Sequence, residues 1–109
     1  MRYAVLLLAS AVLSASGPAI VTAQEAGDVR AGRLVAQKTC AACHAVEGGQ
    51  ARSPNPDAPA FTAIAAVPGM TTAAMLAALQ TSHRERTMPN LILPPDELRD
   101  VVAYVLSLK

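Results

Sequence analysis

The feature that most constrains this chain is the pentapeptide CAACH, which runs from Cys40 to His44. It contains the only two cysteines of the sequence. Residues at positions i, i+3 and i+4 of a helical turn lie on one face, and the two cysteines and the histidine have that spacing. Two sulfurs can therefore reach two points along one edge of a flat ligand while the imidazole approaches from above its plane.

Haem matches this arrangement, because it has two vinyl groups on neighbouring pyrroles and an iron at its centre. C-x-x-C-H is the attachment pattern of c-type haem proteins. Composition favours the same interpretation, since only two aromatic residues, Phe61 and Tyr104, follow the N-terminal segment. Small domains depend on disulfides, metals or cofactors for stability. A covalently held macrocycle would supply the bulk that this core otherwise lacks.

Three other uses of the motif stay open at this point. A structural disulfide between Cys40 and Cys43 suits an oxidising compartment but leaves His44 without a role. A dithiol redox protein uses the same C-x-x-C, normally in a βαβ context. A zinc site would recruit the two cysteines with His83, although structural zinc requires four well-spaced ligands. Haem is the interpretation that uses all three residues of the motif.

The N-terminal segment has the pattern of a secretory signal. Arg2 precedes an apolar run at residues 4–13, and the segment ends with small residues at the first and third positions of Val21-Thr22-Ala23. We predict a cleaved signal peptide at residues 1–23, a single domain at residues 24–109 and a periplasmic location. An uncleaved membrane anchor is the alternative, but the apolar run is broken early for a membrane span.

Charge excludes two classes of partner. Cleavage would leave 86 residues (109 − 23) with eight basic and eight acidic side chains, since Arg2 is the only charged residue of the signal. The mature chain therefore has no formal net charge and no basic stripe. We expect no binding to nucleic acid and none to an anionic membrane surface.

The first half of the mature chain predicts a helix followed by a long loop. Asp28 is a good N-cap for a helix over residues 28–39, in which Ala31, Leu34 and Val35 recur at helical spacing. Paired glycines and three prolines exclude regular structure from residues 46–59. A loop of this length in so small a domain usually wraps something.

The second half predicts three further helical segments. A turn or two of helix is expected within residues 60–67, and Thr71 caps a helix over residues 72–80. Residues 82–95 contain three prolines and are predicted to be extended and irregular. The last helix begins at about Pro95, with acidic residues in its first turn. Its predicted buried stripe consists of Leu98, Val101, Val102, Val105 and Leu106. No segment alternates like a strand, so we predict an all-α domain of three to five helices with long loops around a covalently attached haem.

We expect a methionine as the second axial ligand to iron, because a soft thioether favours ferrous iron and raises the reduction potential. Met75 falls on the apolar face of a predicted helix, where it serves as core. Met70 precedes a helix cap, so its side chain can point either toward the core or toward the iron. Met88 lies in RTMPN, which is too polar and proline-bounded for ordinary core, so it is the favoured ligand. His83 is the remaining alternative.

With these residues the chain resembles class I c-type cytochromes, particularly the short bacterial monohaem kind. The resemblance extends from AGRLVAQKTCAACH through TMPNL to DELRDVVAYVLSLK. It implies one haem c per chain, attached by thioethers from Cys40 and Cys43, with His44 as the proximal and Met88 as the distal iron ligand.

The resemblance implies two further contacts and one departure. Pro59 of APAF would accept the Nδ1 hydrogen of His44 through its carbonyl, which fixes the ring and strengthens it as a donor. The first and last helices would cross where Gly32 meets Tyr104. Ala36 occupies a position at which the family usually has a large residue.

The function implied is outer-sphere electron transfer by a carrier that is not an enzyme and has no small-molecule substrate of its own. Its expected partners are redox proteins that bind through small, transient contacts. Alternatives are a dedicated cytochrome subunit of a periplasmic dehydrogenase and a haem-based ligand sensor. A C-x-x-C dithiol redox protein is the alternative without haem.

Overall fold

The computed structural model of the chain describes Gly17 and residues 26–85 and 91–109, with the backbone alone for residues 82–85. Within these parts the chain forms four α-helices and no strand: α1 (Val29–Val35), α2 (Phe61–Ala65), α3 (Thr72–Glu85) and α4 (Pro95–Leu106). The predicted all-α fold is confirmed. The predicted signal peptide (apart from Gly17) and Met88 lie outside the described residues.

Helix α1 begins where the sequence predicts and changes character before it ends. The Asp28 carboxylate accepts hydrogen bonds from the backbone N–H groups of Ala31 (3.0 Å) and Arg30 (2.8 Å), and these bonds lower the pKa of the carboxyl. The α-helix stops at Val35, and a π-helical turn, Ala36–Cys40, continues it to the cysteine motif. The predicted helix is therefore α-helical only in its first two turns. Such turns are often found at functional sites.

Helices α1 and α4 cross at a very close contact. A Cβ atom on Gly32 would overlap the backbone carbonyl of Asp100 and would lie 2.9 Å from the Cβ of Tyr104. The contact expected between Gly32 and Tyr104 is thus confirmed. Ala36, one turn later, is completely buried, so small residues line this side of α1. Leu34, which recurs with Ala31 and Val35 at helical spacing, points away from this contact and is 66% exposed.

Helix α4 supplies the centre of the core. Pro95 occupies its first turn together with Asp96 and Glu97, as predicted. Val101, Val102 and Val105 are buried, while the two leucines of the predicted stripe are only partly covered. The other buried members of this cluster are Ala36, Val46, Phe61, Ala65, Met75 and Tyr104.

Helix α3 is longer than predicted. Thr71 caps it by accepting a hydrogen bond from the Ala74 N–H at 3.2 Å, and the helix continues to Glu85. The prediction that residues 82–85 are extended is wrong. Their side chains are polar but compatible with a helix, and the first helix-breaking residue is Pro89. The short helix predicted after the loop is confirmed as α2.

Within the described residues, no helix combines the length and the apolar character that a membrane crossing requires.

Candidate haem-binding site

The site is built on the turn that carries the cysteine motif. The N–H groups of Cys43 (3.1 Å) and His44 (2.9 Å) both bond to the carbonyl of Cys40, which closes the turn. Both cysteines are free thiols and half-buried. Burial, with a smaller contribution from Cys43, raises the pKa of the Cys40 thiol to about 11. The motif therefore presents two unbonded sulfur atoms three residues apart.

His44 is held by its ring as well as by its backbone. Its side chain is buried, and its Nδ1 lies 2.7 Å from the carbonyl oxygen of Pro59. Because a carbonyl can only accept, Nδ1 carries the hydrogen and the lone pair of the neutral ring is on Nε2. The Phe61 ring packs beside the imidazole at 5.5 Å between centroids. The contact between His44 Nδ1 and the Pro59 carbonyl is the one that the resemblance implied.

The long loop and the start of α2 return to the motif through three hydrogen bonds. The N–H of Asn55 donates to the carbonyl of Cys43 at 3.1 Å, and the N–H of Phe61 donates to the carbonyl of Ala45 at 2.9 Å. The N–H of Ala45 donates to Ser53 Oγ at 2.9 Å. These bonds fix the loop against the turn on both sides of His44, and they bring Pro59 opposite its ring.

Val46 is anchored by two side chains, one four residues later in the loop and one from α4. Its N–H donates to Gln50 Oε1 at 3.1 Å, and its carbonyl accepts from the Tyr104 hydroxyl at 2.6 Å. Burial is the main cause that raises the pKa of that hydroxyl. Sequence reasoning missed Ser53 and Gln50, because nothing distinguishes them from other polar residues of a loop. It assigned only packing to Tyr104.

A polar cluster connects this segment to the first helix. Glu47 accepts hydrogen bonds from Gln37 Nε2 at 2.7 Å and from Arg33 Nε at 3.2 Å, and its other oxygen lies 3.1 Å from Arg33 Nη2. The bonds from Gln37 and then Arg33 lower the pKa of the Glu47 carboxyl. The cluster lies at the solvent-exposed surface. We therefore regard it as a contact that holds Glu47 against the first helix, and not as part of the site.

The donor set of the motif fits haem c. Two free thiols have the spacing that thioether attachment requires, and the neighbouring imidazole has its Nδ1 hydrogen bound to a carbonyl and its lone pair on Nε2. In the part of the chain whose side chains are described, no three His, Cys, Asp or Glu residues come together as a metal site. The side chain of His83, which the zinc hypothesis needs, is outside that part.

The three candidate methionines have different surroundings. Met75 is buried in the core, as predicted. Met70 is partly buried and packs against the same cluster. Met88 lies outside the described residues, so its role as distal ligand stays a prediction.

Comparison with known proteins gives the family. The family model "Cytochrome c" matches residues 29–109. The chain is 33% identical over 102 residues to "Cytochrome c-552" of Bradyrhizobium diazoefficiens, an alignment that covers 94% of this chain and 90% of that protein. None of the solved structures matches the chain significantly. The chain belongs to the cytochrome c family, as a class I c-type cytochrome whose general function is electron transfer.

Proposed function

We propose that the chain is a monohaem electron carrier in which Cys40 and Cys43 form the thioethers and His44 and Met88 ligate the iron. When bound, haem c supplies a one-electron ferric/ferrous couple. The observation that carries the proposal is the 2.7 Å contact between His44 Nδ1 and the Pro59 carbonyl, within a C-x-x-C-H motif of a cytochrome c chain.

Each proposed ligand has a distinct effect on the potential. The bond from His44 to Pro59 keeps the imidazole in one tautomer and one orientation, and it makes Nε2 a stronger donor, which stabilises ferric iron. The thioether of Met88 acts in the opposite direction, since it favours ferrous iron. The His44 side chain is buried, which limits its contact with solvent. The potential of the carrier is the balance of these effects.

We further propose that residues 1–23 are removed on export and that residues 24–109 act in the periplasm with redox protein partners. The zero formal net charge of residues 24–109 supports short-lived contacts that depend little on long-range steering. We expect the rate of electron transfer to change little with added salt. A steep loss of rate with salt would contradict this, and a stable heteromer at low concentration would identify a dehydrogenase subunit instead.

The first experiment tests haem attachment. The protein is produced in cells that contain the c-type maturation machinery, then denatured in alkaline pyridine and reduced, because haem held by thioethers survives this treatment. We expect the spectrum of haem with two thioethers for the wild type, and that of haem with one thioether for Cys40→Ala and Cys43→Ala. A wild-type protein without haem would overturn the proposal and reopen the dithiol and zinc interpretations.

A second experiment tests Met88. Replacement by alanine is expected to abolish the methionine–iron charge-transfer band of the ferric protein and to allow carbon monoxide to bind the reduced protein. Met70→Ala is the matched control, because that residue packs on the core and should leave both properties unchanged. Ready binding of carbon monoxide by the wild type would favour the ligand sensor.

A further inference from the structure

The peptide group that follows His44 is held by a side chain of the long loop. Ala45 is completely buried, and both of its backbone polar groups are hydrogen-bonded. Its carbonyl accepts from the N–H of Phe61, which is a backbone bond. Its N–H, however, donates to a side chain, the Ser53 hydroxyl oxygen at 2.9 Å.

Ser53 and Pro59 belong to the same loop and bind two neighbouring residues, Ala45 and His44. Pro59 accepts from the ring of His44, while Ser53 accepts from the peptide N–H that adjoins its main chain. The orientation of an imidazole depends on the position of its own backbone as well as on its ring partner. A shift of the His44–Ala45 peptide would therefore change the distance between Nδ1 and the Pro59 carbonyl.

Without the Ser53 hydroxyl, the N–H of Ala45 would be a buried donor with no acceptor. An unsatisfied buried donor is costly, so either the peptide plane rotates or water enters to replace the oxygen. Both responses loosen the segment that fixes His44. The neighbouring bond from Asn55 to Cys43 remains, so the turn itself should persist.

We propose that Ser53 is a positioning residue for His44: its hydroxyl oxygen holds the Ala45 N–H and thereby keeps the His44 ring in bonding distance of the Pro59 carbonyl. The inference rests on the proposed function, because it concerns the donor strength of His44 toward iron. A longer Nδ1–H···O=C bond makes the imidazole a weaker donor and stabilises ferric iron less. Removal of the hydroxyl should therefore raise the reduction potential.

The test uses the haem-loaded protein and the variants Ser53→Ala and Ser53→Thr. Ser107→Ala is the matched control, because the Ser107 hydroxyl also bonds to backbone, at the Tyr104 carbonyl (2.6 Å), but at the end of α4. Three quantities are measured in each protein: the reduction potential, the exchange rate of the Ala45 amide in the reduced state, and the iron–histidine vibration.

For Ser53→Ala we expect faster exchange at Ala45, a lower iron–histidine frequency, and about a threefold shift of the redox equilibrium toward ferrous iron. That shift equals about 28 mV at 59 mV per tenfold change for one electron. Ser53→Thr keeps a hydroxyl at this position, so all three values should stay close to those of the wild type. Ser107→Ala should also leave them at the wild-type level. This pattern would separate positioning of His44 from a general effect on stability.

Two results would overturn the inference. The first is faster exchange at Ala45 in Ser53→Ala with an unchanged potential and iron–histidine frequency, which would leave Ser53 a purely structural role. The second is rapid exchange of Ala45 in the wild type, which would exclude the contact even if Ser53→Ala failed to accumulate. Failure of the proposed function would differ from both, because the wild type itself would then lack haem or the iron–histidine vibration.

Discussion

The Tyr104 hydroxyl provides the most direct test of how the two halves of the chain are held together. It donates a 2.6 Å hydrogen bond from α4 to the carbonyl of Val46, two residues after His44. Both residues are almost fully buried, at 5% and 3% exposure. Tyr104→Phe removes this bond and keeps the ring, which packs on Phe61 at 6.4 Å between centroids.

The magnitude follows from what the substitution leaves behind. The carbonyl of Val46 would stay buried with its side-chain partner gone, and an unsatisfied buried polar group costs about 1–3 kcal/mol. We expect the free energy of unfolding to fall by about 2 kcal/mol, which corresponds to a decrease in Tm of about 10 °C for a domain of this size. The packing contribution should not change, because the aromatic ring is retained.

The assay is guanidinium unfolding of the haem-loaded protein, followed by far-ultraviolet circular dichroism. Ser107→Ala serves as the control for loss of a hydroxyl at an exposed position, and it should cost less than Tyr104→Phe. An unfolding free energy for Tyr104→Phe within about 0.5 kcal/mol of the wild-type value would refute the reasoning, since surface substitutions alone have effects of that size.

Three further predictions concern helix contacts and pH. Gly32→Ala should lower the free energy of unfolding by about 2 kcal/mol in the same assay, because the added Cβ overlaps the carbonyl of Asp100. This overlap outweighs the higher helix propensity of alanine. Gly49 lies in open space, so Gly49→Ala should be nearly neutral and serves as the control. Asp28→Ala should cost about 1 kcal/mol through loss of the N-cap, and an unchanged value would argue against the cap. The pKa of the Glu47 carboxyl is lowered in the folded protein, so its charged form stabilises the fold at any pH above the ordinary pKa of 4.5. This contribution is lost as the pH falls through the lowered pKa. Unfolding measured between about pH 5 and pH 3 should therefore depend less on pH for Glu47→Gln than for the wild type, and equal slopes would contradict the prediction.

Much of the secondary structure and the ligand motif could be predicted because their causes are local. Asp28, Thr71 and Pro95 act within one helical turn of their own positions, and the sequence alone located the starts of three helices from them. The CAACH turn is closed by bonds to the carbonyl of Cys40 from residues three and four positions later. The pairing of His44 with the carbonyl of Pro59 was expected only from family resemblance, since the two residues are 15 positions apart.

Tertiary structure decided which helix faces are buried and which polar side chains form hydrogen bonds around His44. Leu34 fitted an apolar pattern, yet α4 packs on the side of Gly32, where a glycine permits the helices to touch, and so Leu34 remains exposed. Ser53 and Tyr104 acquire their partners only when the loop folds back and α4 crosses α1. Sequence determines interactions within a few residues, because the chain itself keeps those groups close. A hydrogen bond between residues 8 or 58 positions apart exists only once packing has brought its donor and acceptor together.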